Sequence, residues 1–242
     1  MTAELSIEET IARQPHYDKR RRILHPLLRA ALPSFCRLEV AGVHNVPRQG
    51  PTCLMINHVS YLDPIVVTAA IPFRHTISLS KIENFRLPVV GWLLRQWGHY
   101  PISRGQYDRK ALMQTIALLQ AGQLMLMAPE GTRHVGGLQP AKEGLAFVAS
   151  KADAVIVPAA ICGAEDWRKR LKRARRAYAK VVFGAPFRFR RSDRKRIPRP
   201  ELTQMITEAM YQLALAIPVE YAYLRGYYSD IDNASSDLLE FV

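Results

Sequence analysis

Apolar positions in this chain fall into short blocks of two kinds. Residues 52–56, 123–128 and 154–161 are nearly uniformly apolar and too short for helices, which predicts strands buried on both faces. Residues 38–40, 76–80, 98–103 and 180–183 are further strand candidates. Between these runs, residues 64–70, 89–96, 108–120, 143–151 and 200–216 carry helical character, with Pro64 placed to start one helix and Gly122 to stop another. Strands alternate with helices and no internal repeat is visible. The expected fold class is α/β, a single domain with a mostly parallel (mixed) central sheet flanked by helices.

The N-terminal pattern is different. After a polar helix over residues 1–15, a basic cluster at 19–22 runs into Ile23, Leu24, Leu27, Leu28, Ala31, Leu32 and Phe35 at helical spacing. Pro26 and Pro33 are expected to break this amphipathic segment into short pieces. A basic, interrupted, amphipathic segment suits a membrane interface; a helix packed on the core would show the same stripe. The chain therefore divides into an N-terminal helical segment, residues 1–37, and a larger domain, residues 38–242. The longest uncharged run, 111–129, contains Gln114, Gln120, Gly122 and Gln123 and is read as a helix followed by a buried strand, so no transmembrane helix is expected.

Composition adds one outlier. Of 242 residues, 48% are hydrophobic and 23% charged, which is globular, but the formal net charge is +13. Residues 164–199 hold 15 Lys or Arg against 3 Asp or Glu, a net of +12. So concentrated a patch points to an anionic partner, whether phospholipid head groups, nucleic acid or a phosphorylated substrate, although solvated surface loops also carry such runs. Three widely spaced cysteines, Cys36, Cys53 and Cys162, suggest neither a disulfide framework nor a metal site and fit a reducing cytosol. Early acidic residues without an apolar core argue against a secretory signal.

The candidate chemistry lies in Asn57-His58-Val59-Ser60-Tyr61-Leu62-Asp63-Pro64. In a straight helix, positions i and i+5 lie about 140° apart and share no face. His58 and Asp63 can meet only if a helix starts between them, with His58 on the loop after strand 52–56 and Asp63 at or near the N-cap before Pro64. Such a pair is catalytic if the imidazole is placed to move a proton; the alternative is an ordinary buried histidine beside a helix cap. Arg104 and the turn Glu130-Gly131-Thr132-Arg133 also fall at strand ends, and their shared position on the sheet suggests one site.

The blocks NHVSYLDP, KIENFRLPVVGWLLRQWGHYPISR, APEGTR, and AKEG followed by VIVPAAI together resemble the glycerophospholipid acyltransferase family, whose bacterial members include 1-acylglycerol-3-phosphate acyltransferases. The resemblance covers roughly residues 38–162, with weaker similarity at FGAPF and AIPVEYAYLRGYY. It implies that 38–242 is an acyltransferase catalytic domain in which His58 is the general base on an acceptor hydroxyl and Asp63 orients it. It implies further that Arg133, with Glu130, Gly131 and Thr132, lines the acceptor pocket, that Lys81 and Arg104 hold the acceptor phosphate, and that Pro158 is structural. The implied reaction moves a fatty acyl group from acyl-CoA or acyl carrier protein to a lysophospholipid, 1-acylglycerol 3-phosphate giving phosphatidic acid, with no cofactor and no metal. Another lysolipid or a glycerol-type acceptor is the near alternative. The implied setting is peripheral, on an anionic membrane surface at its cytoplasmic face. Ala128 replaces the family's usual aromatic and His134 its usual serine, which bears on acceptor and chain-length preference.

The chemistry fits these residue types. An imidazole, with a reference pKa near 6.5, can take the alcohol proton at neutral pH as the thioester is attacked, contributing about 10² to 10⁴ in rate. No nucleophilic Ser or Cys adjoins His58 except Ser60, whose proximity is read as incidental, so direct transfer is expected rather than an acyl-enzyme. A nucleic-acid-binding protein using residues 164–199 is the alternative from another class. Aromatics are not regularly interleaved there and the ordered polar blocks would go unexplained, so no nucleic acid is expected.

Overall fold

The computed structural model describes residues 6–102, 108–190 and 197–242. Helices α1 (Ile7–Ala12) and α2 (Gln14–Phe35) lead into β1 (Cys36–Ala41). There follow β2 (Thr52–Ile56), α3 (Asp63–Ala70), β3 (Thr76–Lys81), α4 (Pro88–Trp97), β4 (Tyr100–Ile102), α5 (Arg109–Gln120), β5 (Leu124–Met127) and α6 (Gly144–Ala152). The remainder is β6 (Val155–Cys162), α7 (Trp167–Lys172), β7 (Ala177–Phe183), β8 (Phe187–Phe189), α8 (Arg199–Ala216) and β9 (Leu239–Phe241). Among the described residues nine strands form one sheet in the order β1-β7-β6-β2-β5-β3-β4, with β8 beside β6 and β9 beside β8. All pairs are parallel except β6 with β7 and β8, and β8 with β9. This is the expected α/β class with a mixed, mostly parallel sheet.

Apolar runs become central strands because both of their faces are covered by helices. Every residue of β2 and of β6 is buried. Pro158 lies inside β6, where a missing N–H would normally leave a gap in the ladder. Its carbonyl accepts from Gly184 N–H at 2.8 Å, so its backbone faces the side where β7 has ended at Phe183 and β8 has not yet begun at Phe187. The neighbouring strand is interrupted where the proline has nothing to donate.

Helix α2 corrects one expectation, since it runs unbroken through Pro26 and Pro33. Each proline removes a ladder hydrogen bond, but tertiary anchors fix the helix over most of its length. Arg21, fully buried, donates to Trp97 O at 2.7 Å, to Asp18 Oδ1 at 2.9 Å and to Gln14 Oε1 at 3.1 Å. His25 Nε2 lies 3.0 Å from Thr68 O in α3, and Leu32 is buried further along. One face of residues 16–36 thus packs on the core, while Ile23 and Leu27 are exposed on the opposite side. Elsewhere, β7 begins three residues before the expected strand, and part of the basic stretch 164–199 is helical as α7.

Beneath α2 lies a cluster of rings. His25 and His75 meet edge to face with centroids 5.1 Å apart, both are edge-on to Trp97, and His99 stacks on Trp97 at 6.3 Å. His99 Nδ1 accepts from Ser78 N–H at 2.9 Å. Burial, reinforced by the charge of Arg21, pushes His75 down to about 4 and His99 to about 3, and burial also lowers His25. In the unfolded chain these rings protonate near pH 6.5, whereas in the folded chain His75 resists until about 4 and His99 until about 3. Their contribution to stability is therefore complete above pH ~6.5 and is lost as pH falls towards the folded values. The melting temperature should drop between pH 7 and pH 4.5, and His75→Phe, which keeps the ring packing, should flatten that drop; an identical decline in the variant would contradict this.

Candidate active site

The site is built at the C-terminal edge of β2, in the middle of the sheet, where open α/β folds present their ligand-binding loops. Asn57 closes this end. Its amide donates to Ile161 O at 2.8 Å and its carbonyl accepts from Ile161 N–H at 2.7 Å, pinning the loop after β2 to the end of β6.

His58 and Asp63 meet across the turn that follows. His58 Nδ1 lies 2.7 Å from Asp63 Oδ2, and the same oxygen accepts from Val59 N–H at 2.8 Å and Ser60 N–H at 2.7 Å. Asp63 is fully buried and His58 nearly so. A carboxylate can only accept, so Nδ1 carries the hydrogen, and in the neutral ring Nε2 presents a lone pair. Asp63 is the first residue of α3 rather than its cap: Leu62 is the cap residue, with no side-chain bond to the helix. Asp63 thus stands next to the cap, as expected of a residue at or near it, and its side chain reaches backward to the loop. Ser60 completes the turn by accepting Leu62 N–H at 2.9 Å with its hydroxyl.

The turn after β5 packs against the same backbone. Glu130 Oε2 accepts His58 N–H at 3.4 Å and Oε1 accepts Gln139 N–H at 2.8 Å, while His134 N–H donates to His58 O at 2.8 Å. Burial raises the Glu130 carboxyl above its ordinary range, and the two backbone N–H groups partly offset this. Gly131 adopts φ +74°, where a side chain would be strained. The segment Val219–Tyr228 braces this loop, since Leu138 N–H donates to Leu224 O and Tyr227 N–H to Leu138 O.

Arg133 lies over the exposed ring of Tyr61, its guanidinium carbon 3.6 Å from the centroid. Arg168 of α7 lies over the same ring at 5.0 Å. Because β6 runs parallel to β2, α7 emerges at the site's edge of the sheet, and part of the basic patch stands beside His58's loop. Neither Tyr61 nor Arg168 was singled out by sequence reasoning; the signal available was only that Tyr61 lies within the histidine block and Arg168 within the basic run.

The structure thus brings His58, Asp63, Glu130, Gly131, Thr132 and Arg133 to one edge, with Thr132 exposed. Lys81 ends β3, separated from β2 by β5, and pairs with Glu83 at 3.2 Å. Arg104 lies outside the described residues. The arrangement supplies a held imidazole with an available acceptor nitrogen, and two guanidinium groups suited to an oxyanion.

Comparison with known proteins agrees with the blocks. An uncharacterised protein of Mycobacterium tuberculosis is 30% identical over 181 residues, covering 69% of this chain and 48% of that protein. The chloroplastic 1-acyl-sn-glycerol-3-phosphate acyltransferase BAT2 of Brassica napus is 29% identical over 158 residues, 61% of this chain and 45% of that one. The 1-acyl-sn-glycerol-3-phosphate acyltransferase of Bacillus subtilis is 25% identical over 175 residues, 72% of this chain and 85% of that one. The chain spans about half the length of the mycobacterial and plastid relatives. The crystal structure of the 1-acyl-sn-glycerophosphate acyltransferase PlsC from Thermotoga maritima shares the fold, with TM-score 0.55 and 19% identity over 82% of this chain and 78% of that one. The family model described as Acyltransferase matches residues 37–162, more than half of the 242 residues, and the chain therefore belongs to this acyltransferase family.

Proposed function

We propose that this protein transfers a fatty acyl group from acyl-CoA or acyl carrier protein to the free hydroxyl of a lysophospholipid, converting 1-acylglycerol 3-phosphate to phosphatidic acid. The observation that carries the reading is the Nδ1 to Asp63 contact of 2.7 Å, which directs Nε2 outward at the edge of the sheet. Nε2 removes the hydroxyl proton as the oxygen attacks the thioester carbonyl. Asp63 holds the ring and stabilises the imidazolium. The carbon–sulfur bond then breaks, and the imidazolium returns its proton to the departing thiolate. Ser60 is engaged with the turn, so the transfer is direct, without an acyl-enzyme.

Glu130 acts as a positioning residue, because both of its oxygens face backbone N–H groups. Arg133 and Arg168 bind the acceptor phosphate, with Tyr61 spacing the two cations, and Lys81 and Arg104 are proposed as further phosphate contacts. The substrates are lipids, so the protein works peripherally on an anionic membrane surface at the cytoplasmic face. No helix of the described residues is long and apolar enough to cross a membrane.

Incubation of the full chain with labelled acyl-CoA or acyl carrier protein and a panel of lysolipids should yield labelled phosphatidic acid; thioester hydrolysis without transfer to any lysolipid would sink the reading. Asp63→Asn should lower kcat by about 10² to 10⁴ with little change in KM. Arg133→Ala and Arg168→Ala should each raise KM for phosphate-bearing acceptors about ten- to hundredfold. An equal loss with a neutral alcohol acceptor would contradict the phosphate assignment.

A further inference from the structure

Helix α4 turns apolar side chains to solvent. Its buried residues are Gly91 and, at its last position, Trp97, while Val89 (71% exposed), Trp92 (52%) and Leu93 (46%) point outward, with Val90 beside them and Leu87 just before the helix, both also exposed. At 100° per residue, positions 89, 92 and 93 fall within an arc of about 100°, so they form one stripe. Soluble helices place such a stripe inward, and a contiguous exposed apolar face marks an interaction surface.

The stripe is held rigidly. A side chain on Gly91 would meet Phe85 O at 2.2 Å, so the helix lies directly on the turn Ile82–Arg86 that precedes it. Arg95 Nη1 donates to the same carbonyl at 2.8 Å. That turn continues from the C-terminal end of β3, which runs parallel with β5 and β2, so Leu87, Val89 and Val90 lie at the edge of the sheet that carries His58. Along the chain beside the stripe stand Lys81, Arg86 and Arg95, and Glu83 is paired to Lys81 at 3.2 Å.

We infer that this face of α4 docks on a lipid bilayer containing anionic head groups, seating the mouth of the active site at the interface. The inference deepens the proposed reaction and rests on it for the purpose of docking, but not for the docking itself. An apolar centre with a cationic rim matches acyl chains beneath anionic phosphates, and an exposed tryptophan suits the boundary between them. The basic stretch 164–199 then adds attraction, whereas insertion belongs to α4 and not to the exposed side of α2.

The test mixes the full chain with vesicles of phosphatidylcholine and phosphatidylglycerol and measures co-sedimentation and quenching of tryptophan by brominated acyl chains. Binding is expected, with quenching lost in Trp92→Phe. The double variant Val89→Glu with Leu93→Glu changes only exposed positions. It should melt like the wild type, bind vesicles at least tenfold more weakly, and keep its turnover of a short-chain, water-soluble acceptor. Ile23→Glu on α2 should bind as the wild type does. Unchanged sedimentation of the α4 variant, loss confined to Ile23→Glu, or a concentration-dependent dimer without vesicles that the α4 variant disperses would each overturn the inference. Vesicle binding is read without turnover, so a protein that docks through α4 yet acylates no lysolipid would refute the reaction and leave the surface standing.

Discussion

One buried oxygen, Oδ2 of Asp63, accepts hydrogen bonds from the His58 ring and from the backbone of Val59 and Ser60, and the candidate site depends on that convergence. A carboxylate is costly to bury without donors, while each charge-assisted hydrogen bond returns about 1.5–3 kcal/mol. Three donors on one oxygen fold the loop around the charge. The turn, the ring orientation and the start of α3 are therefore set together, and the histidine needs no separate support to choose its tautomer.

The rest of the fold secures the two ends of that loop. Asn57 ties its beginning to β6, and Glu130 and His134 grip the His58 backbone from the turn after β5. The segment Val219–Tyr228 holds that second turn in place, which gives the C-terminal region a share in the site. Strand order explains why these parts meet, since β2 lies between β5 and β6 and all three point the same way. A cation surface and an apolar surface then flank the same edge, the first from α7 and Arg133, the second from α4.

Much of this was legible because buried parallel strands leave an unmistakable trace. Residues 52–56 are nearly uniformly apolar and form β2 with those same bounds. The pairing of His58 with Asp63 could also be argued, since their spacing excludes a common helix face and Pro64 marks a helix start. What the spacing could not show is the direction in which Asp63 turns: a cap bonds forward, but here the N–H groups it accepts from lie behind it. Helix α2 was misjudged at its prolines because local propensity takes no account of Arg21 and His25 anchoring it to α4 and α3. The six-residue α7 has too few apolar positions to show a period. Tyr61 and Arg168 are brought together only by the path of β6, and the outward stripe of α4 looks in sequence like any core-facing helix.

The central claim is that a ring held by Asp63 takes the acceptor's proton. Its most direct test is the rate of acyl transfer by His58→Ala beside the wild type, with melting temperature measured on both. The account predicts a loss of about 10² to 10⁴ in turnover with the fold retained, and a folded variant that transfers acyl groups at the wild-type rate would contradict it.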